Sequence, residues 1–333
     1  MLILVLMVLL AGCSDDVRPQ PAELEAIEPE VELKRIWRQS IGKGHDERFL
    51  QLSPFIDANH VYAINYDGSL LNIGATTGLF HWQVNLGIPL VGGVGGDDRQ
   101  LYVTSVDGEL IALDRELGAE RWRAALASEV LAPPVAYLGL VIVKTVNGKV
   151  AAYDANDGSR RWEYSATEPP LTLRGSSQPL VFREAVLVGM SDGSVAAISL
   201  QDGQLFWEES IATPKGKTEL ERLIDVDGNI VIDGSALFAV AYQGRLAKLT
   251  LFDGRPQWSV EVSSRTSPAV GSRNVFVAAT NGDVVAFDKV SQQEVWRQSA
   301  LAYRELTAPV SWGDYLLVGD LEGYVHMLAQ SDG

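Results

Sequence analysis

Five groups of residues in this 333-residue chain have the types and spacing to do chemistry. Gly189-Met190-Ser191-Asp192-Gly193 matches the Gly-x-Ser-x-Gly pattern that presents a nucleophilic serine to an acyl group. That chemistry needs a strand–turn–helix context, and the residues flanking Ser191 read as two short strands about a β-turn. Asp225-Val226-Asp227-Gly228-Asn229 begins like a calcium loop, but its glycine is misplaced and the closing glutamate is missing. Gly92-Gly93-Val94-Gly95-Gly96 lacks the following helix that a phosphate cradle requires. The four histidines, His45, His60, His81 and His326, show no metal-ligand spacing. A single cysteine, Cys13, makes neither an internal disulfide nor a thiolate cluster. The expectation is a chain with no catalytic residue, no metal site and no cofactor.

Bulk composition narrows the class further. Apolar residues make up 47% of the chain, which excludes disorder. The 31 Gly and 14 Pro follow no collagen period. A net charge of −16 is the wrong sign for a phosphate-binding surface, so nucleic acid is not an expected partner. Length alone suggests two domains at roughly 150 residues each.

An internal repeat replaces that estimate. A polar residue followed by Gly recurs at Asp67-Gly68, Asp107-Gly108, Asn147-Gly148, Asp192-Gly193, Gln243-Gly244, Asn281-Gly282 and Glu322-Gly323. Fourteen residues after the first six glycines stand Trp82, Trp122, Trp162, Trp207, Trp258 and Trp296. Ten residues after most of them stands a second glycine: Gly78, Gly118, Gly158, Gly203, Gly254 and Gly333. Fourteen residues before five of them stands a proline: Pro54, Pro134, Pro179, Pro268 and Pro309. Short apolar runs flank every pair, as in Val141-Ile142-Val143 and Val150-Ala151-Ala152-Tyr153. Each reads as a tight hairpin in which both central residues take positive φ.

A strand from each Pro and another carrying each Trp complete four antiparallel strands in about 40 residues. Such a unit cannot bury both faces alone and stacks on its neighbours as a propeller blade. The fold class is therefore all-β, a β-propeller of four-stranded antiparallel blades. The tryptophans fill the wedges between blades and are core, not a ligand cage. Trp37 has no hairpin of its own, so a strand over residues 33–40 is expected to complete a blade begun at the C-terminus. Either seven blades close in that way or the chain stops one blade early.

Ahead of the repeats, Met1 to Leu10 is almost wholly aliphatic, too short to span a bilayer and suited to a secretory signal. Leu10-Ala11-Gly12-Cys13 looks like a bacterial lipobox, in which the cysteine is acylated and becomes the mature terminus. The expected organisation is a lipoprotein signal peptide over 1–12, a lipidated flexible tether over 13–33 and the propeller over 34–333. Ser14, standing where an inner-membrane retention Asp would be, favours the outer membrane.

Between each Trp and the next blade the connections span 17, 12, 12, 17, 23, 10 and 13 residues. The two long neighbours, Trp162–Pro179 and Trp207–Ile230, are the best candidate surface, because function lives in loops held by a rigid scaffold. The first contains Leu171-Thr172-Leu173-Arg174-Gly175; the second contains Asp225-Val226-Asp227 after a helical turn capped by Thr218. Apolar anchors beside an arginine and two aspartates are ingredients of a protein-binding hot spot. Packing of the two leucines on the blade edge is the alternative.

The blade pattern, for example Asp107-Gly108-Glu109-Leu110-Ile111-Ala112-Leu113-Asp114 through Gly118 to Trp122, resembles the pyrroloquinoline-quinone-type repeat. With the two long loops, the Val318-Gly319-Asp320-Leu321-Glu322-Gly323-Tyr324 segment and the lipobox, the chain resembles the BamB family of outer-membrane assembly lipoproteins. That resemblance implies a non-enzymatic scaffold of the β-barrel assembly complex, bound to the POTRA domains of BamA. It also implies help in delivering or folding outer-membrane proteins, on the periplasmic face of the outer membrane. Carried over by position, Leu171, Leu173, Arg174, Asp225 and Asp227 would contact BamA. The family has eight blades where this chain supplies seven hairpins, so the resemblance implies that a final blade of about 40 residues is lacking and that Trp37 belongs to it, with seven-bladed closure as the alternative. A periplasmic adaptor with other partners and a quinone-dependent dehydrogenase are the rival readings.

Overall fold

A computed structural model describes residues 19–42, 48, 50–167, 169–175 and 177–333. The signal segment, Cys13 and His45 lie outside the described residues.

Every unit of the repeat folds into one small antiparallel sheet. In the first, Phe55–Ile56, His60–Ile64, Ser69–Gly74 and Phe80–Asn85 pair in simple sequence order. The same order recurs in five more four-stranded sheets over 95–125, 135–165, 180–210, 231–261 and 269–298, and a three-stranded seventh covers 310–329. The second and third strands of a unit are buried on both faces, so they read as continuous apolar runs such as Val141-Ile142-Val143. The fourth strand lies at the rim and alternates, exposed on one side, as over Glu120–Ala125.

The apolar core sits between sheets. Tyr102, Leu110 and Ala112 of the second sheet pack against Val141, Val143, Ala151 and Tyr153 of the third. Six such clusters join consecutive sheets from the first to the seventh. Among the described residues no cluster joins the seventh sheet to the first. This is the propeller expected from the repeat. Its chain order places the hairpins between second and third strands, and the connections between sheets, at one end of the ring.

The hairpins are not the expected two-residue turns. In the first, Gly68 N–H donates to Asn65 O at 3.1 Å and Asn65 N–H donates to Ser69 O at 2.9 Å. Only the glycine has positive φ (91°); Asp67 stays right-handed and its carboxylate accepts from Ser69 N–H at 2.9 Å. This is a type I turn closed by a left-handed glycine bulge, so the polar residue is needed as a side-chain acceptor. At Gln243-Gly244 the left-handed residue is Gln243 (φ 48°) instead.

The tryptophans tie each sheet to the next. Trp162 N–H donates to Leu200 O of the next sheet at 2.8 Å, and its indole lies where a side chain on Gly203 would be, 2.7 Å from that absent Cβ. Trp122, Trp258 and Trp296 donate in the same way to Ala155, Lys289 and Gln330. The frame's missing glycine, opposite Trp258, is Gln292, which still adopts φ 59°. A left-handed conformation costs an L residue roughly 1–2 kcal/mol, part of which glycine returns as unfolded-state entropy. Gln292→Gly is therefore expected to stabilise the fold by about 0.5–1 kcal/mol, read as a higher denaturant midpoint. An unchanged or lower midpoint would show that the Gln292 side chain contributes more than its backbone costs.

Trp37 departs from expectation. Residues 33–40 form no strand and pair with no strand of the seventh sheet. Trp37 instead docks ahead of the first sheet, donating to Ala75 O at 2.8 Å and lying against Gly78. It copies the contact of a fourth-strand tryptophan without a ladder partner beside it. Seven-bladed closure through this segment is therefore not what the described residues form.

Candidate functional site

The two long connections meet at the hairpin end of the ring. Leu173 N–H donates to Asp225 Oδ2 at 3.3 Å, and Gln178 N–H donates to Asn229 Oδ1 at 2.7 Å. Gly175 lets the carboxylate of Asp227 come against the backbone: a Cβ there would lie 2.5 Å from Asp227 Cγ. The second loop is itself braced. Its single helical turn carries a capping box, with Glu221 N–H donating to Thr218 Oγ1 at 3.2 Å and the Glu221 carboxylate accepting from Lys217 and Thr218 N–H. Beyond it Leu223, Ile224 and Val226 are buried, so the loop rests on core.

With Gln51 and Arg265 from two other connections, the loops form a recess of about 190 Å³ whose remaining lining is Leu173, Arg174, Gly175 and Asp227. Arg174 is half-exposed and its guanidinium is steadied by Glu129 at 2.9 Å. Leu173 is half-buried in the wall and Leu171 stands outside the recess, 42% exposed. Arg265 covers the ring of Tyr242 at 4.8 Å. Of the five residues picked from sequence, the structure brings Leu173, Arg174 and Asp227 to one recess. Leu171 lies on its flank. Asp225 is completely buried behind it and bridges to Tyr242, whose N–H donates to Asp225 O at 2.8 Å. Gln51 and Arg265 were not legible, since each is one polar residue in a connection without pattern.

Asp227 is the electrostatic centre. One of its buried oxygens has no hydrogen-bond partner among the described residues. Burial raises its pKa to about 6, against the opposing pull of Lys144 and Arg265. The unfolded value is near 3.9, so between roughly pH 4 and 6 the native state holds more protons. Stability contributed by this group therefore falls as pH rises through that window. Asp227→Asn is expected to be more stable than the native chain by roughly 1–2 kcal/mol at pH 7, with the gap closing below about pH 4. Denaturant midpoints at the two pH values check this, and an equal gap at both would contradict it.

Two of the remaining motifs can be placed on the fold. Ser191 is buried in the hairpin between Ala185–Gly189 and Ser194–Ser199, with no helix behind it. His60 and His81 come together with ring centroids 5.1 Å apart. Among the described residues, no three His, Cys, Asp or Glu side chains converge on a metal position.

Comparison with known proteins follows the same line. The family model described as outer membrane protein assembly factor BamB matches residues 67–298. The outer membrane protein assembly factor BamB of Marinobacter adhaerens is 55% identical over 331 residues, spanning 99% of this chain and 85% of the relative. The chain belongs to the BamB family. The crystal structure of BamB from Moraxella catarrhalis superposes with a TM-score of 0.80 at 34% identity, over 85% of each chain. A quinohemoprotein alcohol dehydrogenase from Pseudomonas putida HK5 reaches a TM-score of 0.69 over 84% of this chain and 64% of its own, but at 13% identity. That likeness is one of fold alone.

Proposed function

We propose that the protein is a non-enzymatic scaffold of the β-barrel assembly (BAM) complex, supporting insertion of β-barrel proteins into the outer membrane. Its partner is the POTRA region of BamA, received by the recess at the hairpin end, and unfolded outer-membrane proteins are its clients. Membership of the BamB family supports the assembly role, and one observation carries the site. Two loops of unequal length, from successive blades, are knitted through Asp225 and Asn229 into a single surface presenting Leu173, Arg174 and Asp227. A pre-formed patch of that kind, with an apolar side chain beside a cation and a buried carboxylate, suits an interface centre.

Acylated Cys13 anchors the protein on the periplasmic face of the outer membrane, since several acyl chains bind a bilayer stably where one does not. We read the ring as eight-bladed. The seventh sheet leaves Val310, Trp312 and Val325 more than half exposed, and a further unit over that face would lie next to Trp37. A tagged full-length protein is expected to recover BamA from detergent-solubilised envelopes, and to leave the membrane fraction when Cys13 is replaced by Ala. Recovery of the tagged protein without BamA would refute the assigned partner.

A further inference from the structure

The segment Gly319-Asp320-Leu321-Glu322-Gly323-Tyr324 takes no part in the recess. It surrounds a buried arginine. Arg304, in the connection between the sixth and seventh sheets, is 3% exposed. Its Nε donates to Asp320 at 2.8 Å, one terminal nitrogen pairs with Glu322, and the other donates to the backbone carbonyl of Ala22 at 2.8 Å. Ala22 returns its own N–H to Ala302 O at 2.9 Å. Burial pushes the Asp320 carboxyl up, but hydrogen bonds from His326, Arg304 and the amides of Tyr324 and Glu322 hold it well below the usual carboxylate range. The arginine is thus braced by an ionised partner. Its neighbours Tyr303 (φ 57°) and Glu305 (φ 49°) both adopt the left-handed backbone that such residues rarely take, a cost that turns Arg304 inward.

The position of this contact matters because the chain enters the ring from the other end. Trp37 and Gln39 bond to Ala75 O and Gly78 O, in the turn between the third and fourth strands of the first sheet. From there the chain climbs to Gly42, which lies against Asn65 in the first hairpin. Ala22, by contrast, is held at the hairpin end, where the recess lies. Residues 23–36 must therefore run the height of the ring. Without the contact at Ala22, the segment leading back to Cys13 would leave from the end opposite the recess.

We propose that Arg304, braced by Asp320 and Glu322, clamps the N-terminal segment at Ala22 and so places the membrane anchor and the recess at the same end of the ring. The proposal rests on the reading of Cys13 as the lipid anchor. Nine residues separate Cys13 from Ala22, a reach of at most ~30 Å, whereas the 24 residues to Trp37 would reach ~80 Å. The clamp turns a long tether into a short one with a fixed exit. The occupant of the recess is then a membrane-proximal protein domain that enters the space between ring and bilayer. The expected tether over 13–33 is accordingly held at Ala22.

Because Cys13 is the one cysteine, a dye on an introduced cysteine is site-specific in the acylated protein. Ala300→Cys and Val290→Cys place it at the two ends of the strand Glu294–Gln298. In vesicles of phosphatidylethanolamine carrying an acceptor-labelled lipid, the dye at position 300 is expected to transfer more efficiently than the dye at 290. Arg304→Met removes the donor to the Ala22 carbonyl and is expected to abolish that difference; Ala22→Pro removes only the Ala22 N–H, leaves the Arg304 contact in place, and is expected to reduce the difference without abolishing it. A difference that survives unchanged in Arg304→Met, or a native chain whose position 290 lies nearer the lipid, overturns the proposal. The soluble Cys13→Ser protein separates the clamp from the anchor. There the Ala22 amide is expected to exchange hydrogen at least about tenfold more slowly than that of Glu25. Equal rates refute the clamp whatever holds the chain to the membrane, and vesicle binding by Cys13→Ser refutes the anchor instead.

Discussion

Trp162→Ala is expected to lower the unfolding free energy of the ring by about 3–5 kcal/mol. The indole is 7% exposed and packs with Ile142, Val150, Val186 and Ala196 in the wedge between the third and fourth sheets. Its N–H donates to Leu200 O, and its face lies on Gly203, where the neighbouring backbone leaves no other atoms to fill the space. Truncation removes the transfer energy of the ring, opens a cavity that the rigid sheets close poorly, and strips a carbonyl of its donor. Trp207 occupies the equivalent wedge one sheet later but is only half-buried, so Trp207→Ala is expected to cost less. Denaturant unfolding of both variants checks the order. Equal losses would mean that the wedges, rather than the burial of individual rings, set the stability.

Leu173→Ala combined with Arg174→Ala is expected to weaken binding of the BamA POTRA domains by about 100-fold, near 3 kcal/mol, while unfolding free energy changes by no more than ~1 kcal/mol. The two residues are adjacent in a wall already held in place. Asp225 takes the Leu173 amide, and Glu129 holds the Arg174 guanidinium. The Leu173 backbone and the Arg174 guanidinium are held before association, so less ordering is left to offset the contacts proposed for them. The Arg174–Glu129 pair is half-exposed and contributes little to folding on its own. On the proposed reading, binding and stability are expected to separate at these positions, as they do not at Trp162.

Period and spacing made most of the architecture legible. The polar-Gly pairs and the trailing tryptophans mark the hairpins and the inter-sheet wedges, because both recur at positions where the backbone or the packing admits few residue types. The same regularity misled at the turns. A repeated Asp-Gly is compatible with two turn types, and which residue takes positive φ depends on whether the glycine bulge forms. Connection length singled out the loops around Leu173 and Asp227, since a rigid frame pushes length variation to one place. It could not rank Asp225 against Asp227. Two residues apart in an irregular loop, one carboxylate is fully buried behind Leu173 and the other opens into the recess. Trp37 reads as a wedge tryptophan and docks like one, but its segment forms no strand, because a strand also needs a ladder partner. Arg304 carried no signal: its partner Ala22 lies 282 residues away and offers only a backbone carbonyl.

That the recess receives BamA is tested by a calorimetric titration of the BamA POTRA domains into the purified full chain and into the Leu173→Ala, Arg174→Ala double variant. One-to-one binding by the native chain is expected, with a loss of about 100-fold in affinity for the variant and matching unfolding curves. Equal affinities for the two proteins would contradict this expectation, and would move the partner surface away from the recess.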